Sequence, residues 1–346
     1  MNPDEQRRID QYVGCLLGTA LGDSVGLVCE RLSARRIARR WTTPLQQCLV
    51  FGYGLISDDT EHAFLTAQSL AQHGQDISRF KKTLAFRLRW WFAAIPAGTG
   101  MATARACLRL WCGISPSRSG VWSAGNGPTM RAAIIGLYAA ENVTLRAELL
   151  LASTVMTHQD PKALTAAVAI AETAAWLVSD QKANLWDIWH ASGTDQEWKK
   201  IIGVMRQSFD RESSVGDFAQ RLGCISGVSG YAYHSVPVTL YAWLQHRQNP
   251  RLGLEILIRC GGDTDTTAAC AGALYGIEFG PDRLPQDWLA AIVEWPMSIK
   301  TLRRGGIALA TKQKPVFWWW IFQPIRNAIF LLVILYHGFR RMVQFR

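Results

Sequence analysis

Two acidic clusters, Ser57-Asp58-Asp59-Thr60 and Gly261-Gly262-Asp263-Thr264-Asp265-Thr266, hold the residues most able to do chemistry in this chain. Each sets two carboxylates and at least one hydroxyl at the head of an Ala-rich, helix-like stretch. Carboxylate and hydroxyl oxygens are the donors that hard divalent cations prefer, so together the clusters could build a cage for two metals. Asp, Ser and Thr are also the preferred residues at helix N-caps, where they complement the positive end of the helix dipole. Taken alone, Ser57 to Thr60 reads as a cap. The second cluster offers more oxygen than a cap can use. Gly261 and Gly262 permit close backbone approach, and Asp263 and Asp265 alternate with Thr264 and Thr266. The residues behind it, Thr267 to Leu274, are small throughout, which suits a helix packed tightly at a protein centre.

The elements that must carry these clusters are helical. Lys162 to Asp180 is a long helix former, and Ile134–Ala140, Leu145–Met156, Val238–His246 and Asp265–Ile277 read the same way, with Gly and Pro punctuating between them. Strand signals are scarce, and no repeat of fixed period appears. The expectation is an all-α domain over residues 1–300, with its helical body beginning near residue 8, followed by a distinct tail over 301–346. Because the clusters come from opposite ends of that domain, folding has to bring them together if they share metals.

The 346 residues are half apolar and can bury a sizeable core, which excludes a disordered chain. Eight cysteines show neither a CxxC pair nor disulfide-framework spacing, and residues 1–13 lack an apolar leader core; both features point to a reduced, cytoplasmic setting. The net charge of +10 suggests nucleic acid at first sight, but its distribution argues against that. Residues 300–346 hold nine Lys or Arg and no acid, leaving 28 basic against 27 acidic side chains in residues 1–299. The body is therefore near neutral, and the excess belongs to the tail.

That tail runs from the cationic segment Lys312-Gln313-Lys314-Pro315 through Val316–Phe322 (VFWWWIF), a polar break at Gln323–Asn327, Ala328–Tyr336 (AIFLLVILY) and a basic end at Arg340, Arg341 and Arg346. Val316–Tyr336 is long enough to span a bilayer, yet Arg326 would then lie near its centre at a cost of about 3 kcal/mol, beside the helix-breaking Pro324. The Trp cluster and flanking cations instead suggest contact of residues 312–346 with an anionic membrane, at its cytoplasmic face. The plainer alternative is a C-terminal helix covering an apolar groove of the domain or of a second subunit.

Four further segments complete a pattern with the two clusters: Gly14–Glu30 (GCLLGTALGDSVGLVCE), Pro96–Thr103 (PAGTGMAT), Gly125–Arg131 (GNGPTMR) and Thr157–Pro161 (THQDP). In this order and spacing the six resemble the ADP-ribosylglycohydrolase family, hydrolases similar to the dinitrogenase-reductase-activating glycohydrolase, over residues 12–280. The resemblance implies an all-α orthogonal multi-helix bundle with a central dinuclear Mg or Mn cleft that binds ADP-ribose. It implies Ser57, Asp58, Asp59, Asp263, Asp265 and Thr266 as ligands to two divalent cations. The residue chemistry agrees with oxygen-seeking metals, since no His or Cys set has zinc spacing. Two such metals can hold vicinal hydroxyls and polarise water; in the family those hydroxyls belong to the ribose whose anomeric carbon carries the target.

Glycoside cleavage needs a proton donor for the leaving group and a base for water. Glu30 matches a family glutamate that flanks the scissile bond and serves acid–base work or gating, and a water activated beside Asp59 or Asp263 supplies the other function. On residue type alone, Glu30 is equally an exposed charge ahead of a basic stretch. Gly125-Asn126-Gly127 reads as a loop whose backbone amides can face an anion before a helix starting near Pro128. In the family that loop, with Met130 and Arg131 behind it, meets the pyrophosphate, His158 of THQDP lies toward adenosine, and the Gly230-Tyr231 segment offers a ring to adenine. Three departures stand out: Ser57 where much of the family has Thr, no acid in the PAGTG segment, and a tail foreign to the pattern. The function implied is metal-dependent release of ADP-ribose from modified proteins, as reversal of a transferase or immunity to a transferase toxin. The rivals are a non-catalytic ADP-ribose- or toxin-binding protein and a two-metal phosphoester hydrolase.

Overall fold

Four glycines at every fourth position, Gly14, Gly18, Gly22 and Gly26, form one stripe of the first helix, α1 (Pro3–Leu27). In the computed structural model, which describes residues 2–180 and 183–343, that stripe faces the helix that carries the second acidic cluster, α14 (Thr264–Phe279). A methyl carbon on Gly14 would sit 2.0 Å from the carbonyl oxygen of Gly276, and one on Gly22 would sit 1.9 Å from that of Ala268. The two backbones thus touch, antiparallel, along the whole small-residue seam. Every residue of α1 from Tyr12 onward and of α14 through Ile277 is buried, so neither helix is amphipathic and both belong to the centre.

Around this pair lie α2 (Ala34–Arg40), α3 (Asp58–His73), α4 (Ile77–Ala93), α5 (Met101–Trp111), α6 (Ala132–Tyr138) and α7 (Val143–Val155). The Ala-rich α8 (Pro161–Val178) is followed by α9 (Leu185–Ala191), α10 (Gln196–Asp210), α11 (Val215–Arg221), α12 (Ala232–Gln245) and α13 (Pro250–Arg259). After α14 come α15 (Gln286–Ala290), α16 (Ile299–Ala310) and α17 (Gln323–Val343). Among the described residues no strand forms; the only β pairing is in isolated bridges. The fold is all-α, as the residue pattern predicts. The expected helix over Val238–His246 begins earlier, at Ala232, and accommodates Pro237 inside it.

Among the described residues, two helices are long and apolar enough to cross a membrane by length and composition, α8 and the stretch Trp320–Phe339. The first is a core helix packed on α6, α7, α12 and α14. The second belongs to the tail, where one expectation needs correction. Pro324 does not break a helix but starts one, in the first turn of α17, where its missing N–H costs nothing. Arg326, the residue that weighed against a spanning helix, is buried against the domain. Within the tail, α16 packs on α1 and α3. The side chains of Arg340 and Arg341, and Arg346 altogether, lie outside the described residues.

Candidate active site

The first cluster is organised by a residue the sequence did not single out. Asp23, one turn before the end of α1, is fully buried, and its Oδ2 accepts from the backbone amides of Ser57 (2.9 Å) and Thr60 (3.1 Å) and from the Thr60 hydroxyl. The mouth of α3 is thereby tied to α1. Ser57 is the N-cap, accepting from the Asp59 amide at 3.3 Å, so the cap reading holds for this cluster. It does not exhaust it, because the Asp59 carboxylate points elsewhere. Asp59 Oδ2 accepts from the Ser57 hydroxyl (3.3 Å) and from the Thr266 hydroxyl (3.1 Å), a contact that spans 207 positions of sequence. Folding thus brings the two clusters together.

The second cluster is held by its glycines. Gly261 and Gly262 have φ of 74° and 88°, a region that disfavours side chains. They are clamped from both sides: Gly262 N donates to Leu32 O, Arg31 N donates to Gly262 O, and Val228 N donates to Gly261 O. A methyl on Gly262 would meet Val228 O at 2.0 Å. Asp263 is the N-cap of α14 by position, yet its side chain makes no capping bond; Oδ2 accepts instead from the Asn126 amide at 2.7 Å. The cap reading fails here. Asp265 is buried, with Oδ1 accepting from the Thr266 amide.

Electrostatics sharpen this picture. Burial, then Asp23, Glu61 and Glu30, push the half-buried Asp58 carboxyl well above the usual carboxylate range. Burial, then Asp23, Asp58 and Asp263, do the same to Asp59, and burial, then Glu30, Asp263 and Asp59, to Asp265. Burial raises Asp23 to about 6 against the pull of its hydrogen bonds from Thr60 and Ser57. Asp23 Oδ1 and Asp59 Oδ1 are buried without a protein partner. Glu30, just past α1, acts on one acid of each cluster, Asp58 and Asp265; its side chain is 29% exposed and pairs with Arg31 at 3.2 Å. Among the described residues, no three His, Cys, Asp or Glu side chains assemble in a spacing that would hold a metal ion. Hydroxyls and carboxylates of mixed origin make up this site, and a dinuclear cleft is not displayed.

The loop Gly125–Gly127 joins the same neighbourhood through Asn126 and through a bridge between Gly125 and Tyr231. It is less of an open amide cradle than the sequence suggests: Gly125 N donates to Ser123 Oγ and Asn126 N to Gly230 O. A 3-10 turn, Thr129–Arg131, intervenes before α6. His158 lies beneath the loop, buried, with a methyl on Gly127 excluded at 2.7 Å from its ring. Burial and then Arg131 lower His158 to about 3, so it is a neutral packing partner of the loop. Arg131 itself is fully buried and donates to Ser153 and Thr157 while facing His62.

Tyr231 is half-buried; its hydroxyl donates to Glu197 (2.7 Å) and accepts from Lys162 (2.9 Å). Tyr233 is core, bonded to Asp195. Lys162 and Glu197 escaped the sequence reading. The only hint was the adjacency of Lys162 to the Thr157–Pro161 segment; Glu197 gave none.

A sequence profile of the ADP-ribosylglycohydrolase family matches residues 4–315. An uncharacterized protein of Archaeoglobus fulgidus is 26% identical over 292 residues, covering 82% of this chain and 92% of that protein. The ADP-ribosyl-[dinitrogen reductase] glycohydrolase of Rhodospirillum rubrum is 24% identical over 289 residues, 82% of this chain and 90% of its own length. Human ADP-ribosylhydrolase ARH3 is 33% identical over a shorter stretch of 101 residues, 26% of each chain. A solved ADP-ribosylglycohydrolase-related protein complex shares the fold with a TM-score of 0.66 at 24% identity, covering 89% of this chain and 99% of that one.

Proposed function

We infer the reaction from the premise that this chain belongs to the ADP-ribosylglycohydrolase family, whose profile spans residues 4–315. It is an ADP-ribosyl hydrolase. The finer reading proposed here is that it cleaves the bond at the ribose anomeric carbon of ADP-ribosylated protein side chains and depends on two divalent cations, Mg or Mn.

The observation that carries this reading is the bond from the Thr266 hydroxyl to Asp59, which joins the two clusters. Fit to cations is supported by the site's electrostatics. Although no three of its carboxylates stand in metal-holding spacing, Asp58, Asp59 and Asp265 are pushed toward protonation by burial and by neighbouring acids, and one oxygen each of Asp23 and Asp59 is buried without a protein partner. A buried cluster of like charges either binds protons or a counter-charge, and oxygen donors select hard cations. Ser57, Asp58, Asp59, Asp263, Asp265 and Thr266 would hold the ions. When bound, such ions orient vicinal hydroxyls and lower the pKa of water.

The chain's own groups do the rest. Glu30, partly exposed at the edge of both clusters, is placed to exchange a proton with the leaving group or with water. Asp23 fixes the mouth of α3, and Asn126 orients Asp263. Tyr231, with its hydroxyl anchored by Lys162 and Glu197, presents a ring for a base to stack on. The R. rubrum relative is named for removing ADP-ribose from a protein, which supports a protein substrate here.

The test is release of ADP-ribose from a panel of defined linkages on Arg, Ser and other side chains, with Mg, with Mn and with chelator. Asp58→Asn and Asp265→Asn are expected to lose turnover by at least about a thousandfold while keeping the helical spectrum, and chelation should do so reversibly. Undiminished release by the chelated enzyme would overturn the metal dependence. Cleavage of simple phosphodiesters with ADP-ribosylated proteins untouched would overturn the reaction.

A further inference from the structure

The last helix turns its polar side chains inward and leaves much of its apolar surface outside. Among the described side chains of α17, Gln323, Arg326, Asn327, Phe330 and His337 are buried, with Phe330 and the partly buried Val333 and Ile334 packing on Leu27, Val28 and Leu49, whereas Ile325, Ile329, Leu332, Leu335, Tyr336 and Phe339 are exposed. The inward face is held by specific bonds. Arg326 donates to both Glu294 carboxylate oxygens (2.9 and 2.8 Å) and to Ile56 O, and lies 3.5 Å from Glu61. Gln323 bonds Glu61, and Asn327 donates to Ala94 O at 2.8 Å. The helix thus covers a small apolar cluster of the domain, as the plainer expectation has it, and adds a buried ion-pair network to it, while a second apolar face stays uncovered.

The outward face has the chemistry of a bilayer contact. Trp320–Phe339 has a mean hydropathy of 1.3 with only 28% of that window buried. Its one Lys, Arg, Asp or Glu is Arg326, which is turned inward. Exposed rings extend the patch onto the domain, with Trp90 against Trp320 (6.2 Å) and Trp111 (5.4 Å), and Trp295 against Phe322 (5.3 Å). Amphipathic aromatic rings at the edge of an apolar surface are the usual anchors at a lipid headgroup layer. The charge around them has one sign. Residues 77–140, which include α4 and α5, hold no acid and nine Lys or Arg, of which Arg131 is buried, and residues 300–346 likewise hold no acid and nine Lys or Arg, of which Arg326 is turned inward. Such a surface suits anionic headgroups and disfavours a second copy of itself, whose matching patch would carry the same charge.

We propose that the outward face of α17 and the Trp-rich turn before it lie in the headgroup–acyl boundary of an anionic phospholipid bilayer, with the helix in the membrane plane and its inner face still locked on the domain. Spanning would require Arg326, Gln323 and Asn327 to leave Glu294, Glu61, Ile56 and Ala94, stranding two buried carboxylates. Lying flat breaks none of these bonds. The proposal is independent of which linkage the enzyme cleaves.

The experiment is flotation of the full-length protein with vesicles of phosphatidylcholine alone and of phosphatidylcholine mixed with phosphatidylglycerol, at low and high salt. Co-flotation with the anionic vesicles, weakened by salt and by omission of phosphatidylglycerol, is expected. Leu332→Glu with Leu335→Glu, both at exposed positions, should cut binding at least about tenfold without changing the folded spectrum. Lys312→Ala with Lys314→Ala should weaken binding to anionic vesicles only. Failure of the whole protein to float, or equal flotation of the double-Glu variant, would overturn the proposal. So would a dimer by light scattering that the double-Glu variant converts to monomer, which would assign the face to a second copy. Protection of a tag placed after Arg346 from protease added outside the vesicles would also overturn it, by showing that the helix crosses.

Discussion

Arg326→Met tests whether the tail is part of the fold. The side chain is 7% exposed and faces Glu294 and Glu61, themselves 2% and 1% exposed. Methionine fills similar volume but leaves both carboxylates without their cation and Ile56 O without its donor. Removing one member of a buried ion pair typically costs about 3–5 kcal/mol, because the partner stays desolvated and uncompensated. A loss of that size is expected at neutral pH in urea unfolding followed by fluorescence. Arg326→Lys should fall between, since it keeps the charge but loses the fork.

The deficit should also depend on pH. Burial holds the Glu61 carboxyl above its ordinary 4.5 while Arg326 pulls it down, so deleting Arg326 lifts it further. A carboxyl with a raised folded pKa binds more protons folded than unfolded, so stability falls as pH rises from the unfolded value through the folded one. The variant should therefore recover part of its loss toward pH 5, where Glu61 accepts a proton. A deficit below about 1 kcal/mol, or one equal at pH 5 and pH 7.5, would refute the reasoning.

Asp23→Ala strands the amides of Ser57 and Thr60, at about 1–3 kcal/mol for each donor left unpaired, and should lower turnover although Asp23 is not among the inferred ligands; calorimetry and the release assay check both. Gly22→Ala is expected to destabilise by 2 kcal/mol or more, roughly the range for overpacked cores, while Gly203→Ala, with open space around it, should gain about 0.5–1 kcal/mol. Tyr231→Phe keeps the ring but releases it from Lys162 and Glu197, so KM should rise several-fold with kcat nearly unchanged, whereas a matched fall in kcat would place Tyr231 in the chemistry.

What could be read from the sequence was whatever is written locally. The acidic clusters announce themselves by residue type, the Ala-rich helices by propensity, and Ser57 acts as the cap its type suggests. What escaped depends on contacts between distant segments. Asp23 looks like any residue after a glycine until Ser57 and Thr60 are found donating to it. The stripe Gly14, Gly18, Gly22, Gly26 is visible as a period, but its partner on α14 is not. Arg326 reads as a charge in an apolar segment, a penalty, because its partners stand elsewhere, Glu61 on α3 and Glu294 in the connection between α15 and α16. Lys162 and Glu197 meet only because α8 and α10 converge on Tyr231.

The glycine seam between α1 and α14 also acts as a gauge block. Because Gly14 seats on Gly276, Gly18 on Gly272, Gly22 on Ala268 and Gly26 on Thr264, the notches repeat once per turn and admit one register. Slipping one helix by a single residue would shift it about 1.5 Å and turn it about 100°, driving side chains into backbone along the whole seam. Asp23 and Glu30 stand at or just past the α1 end of that scale, and Asp263 and Asp265 at the adjoining end of α14. The separation between the two halves of the acidic site is thus set by a ruler some twelve residues long rather than by the loops that bear the acids. A one-residue insertion between Gly14 and Gly22 should accordingly be more damaging to activity than most substitutions within the site's loops, although it touches no residue of the site.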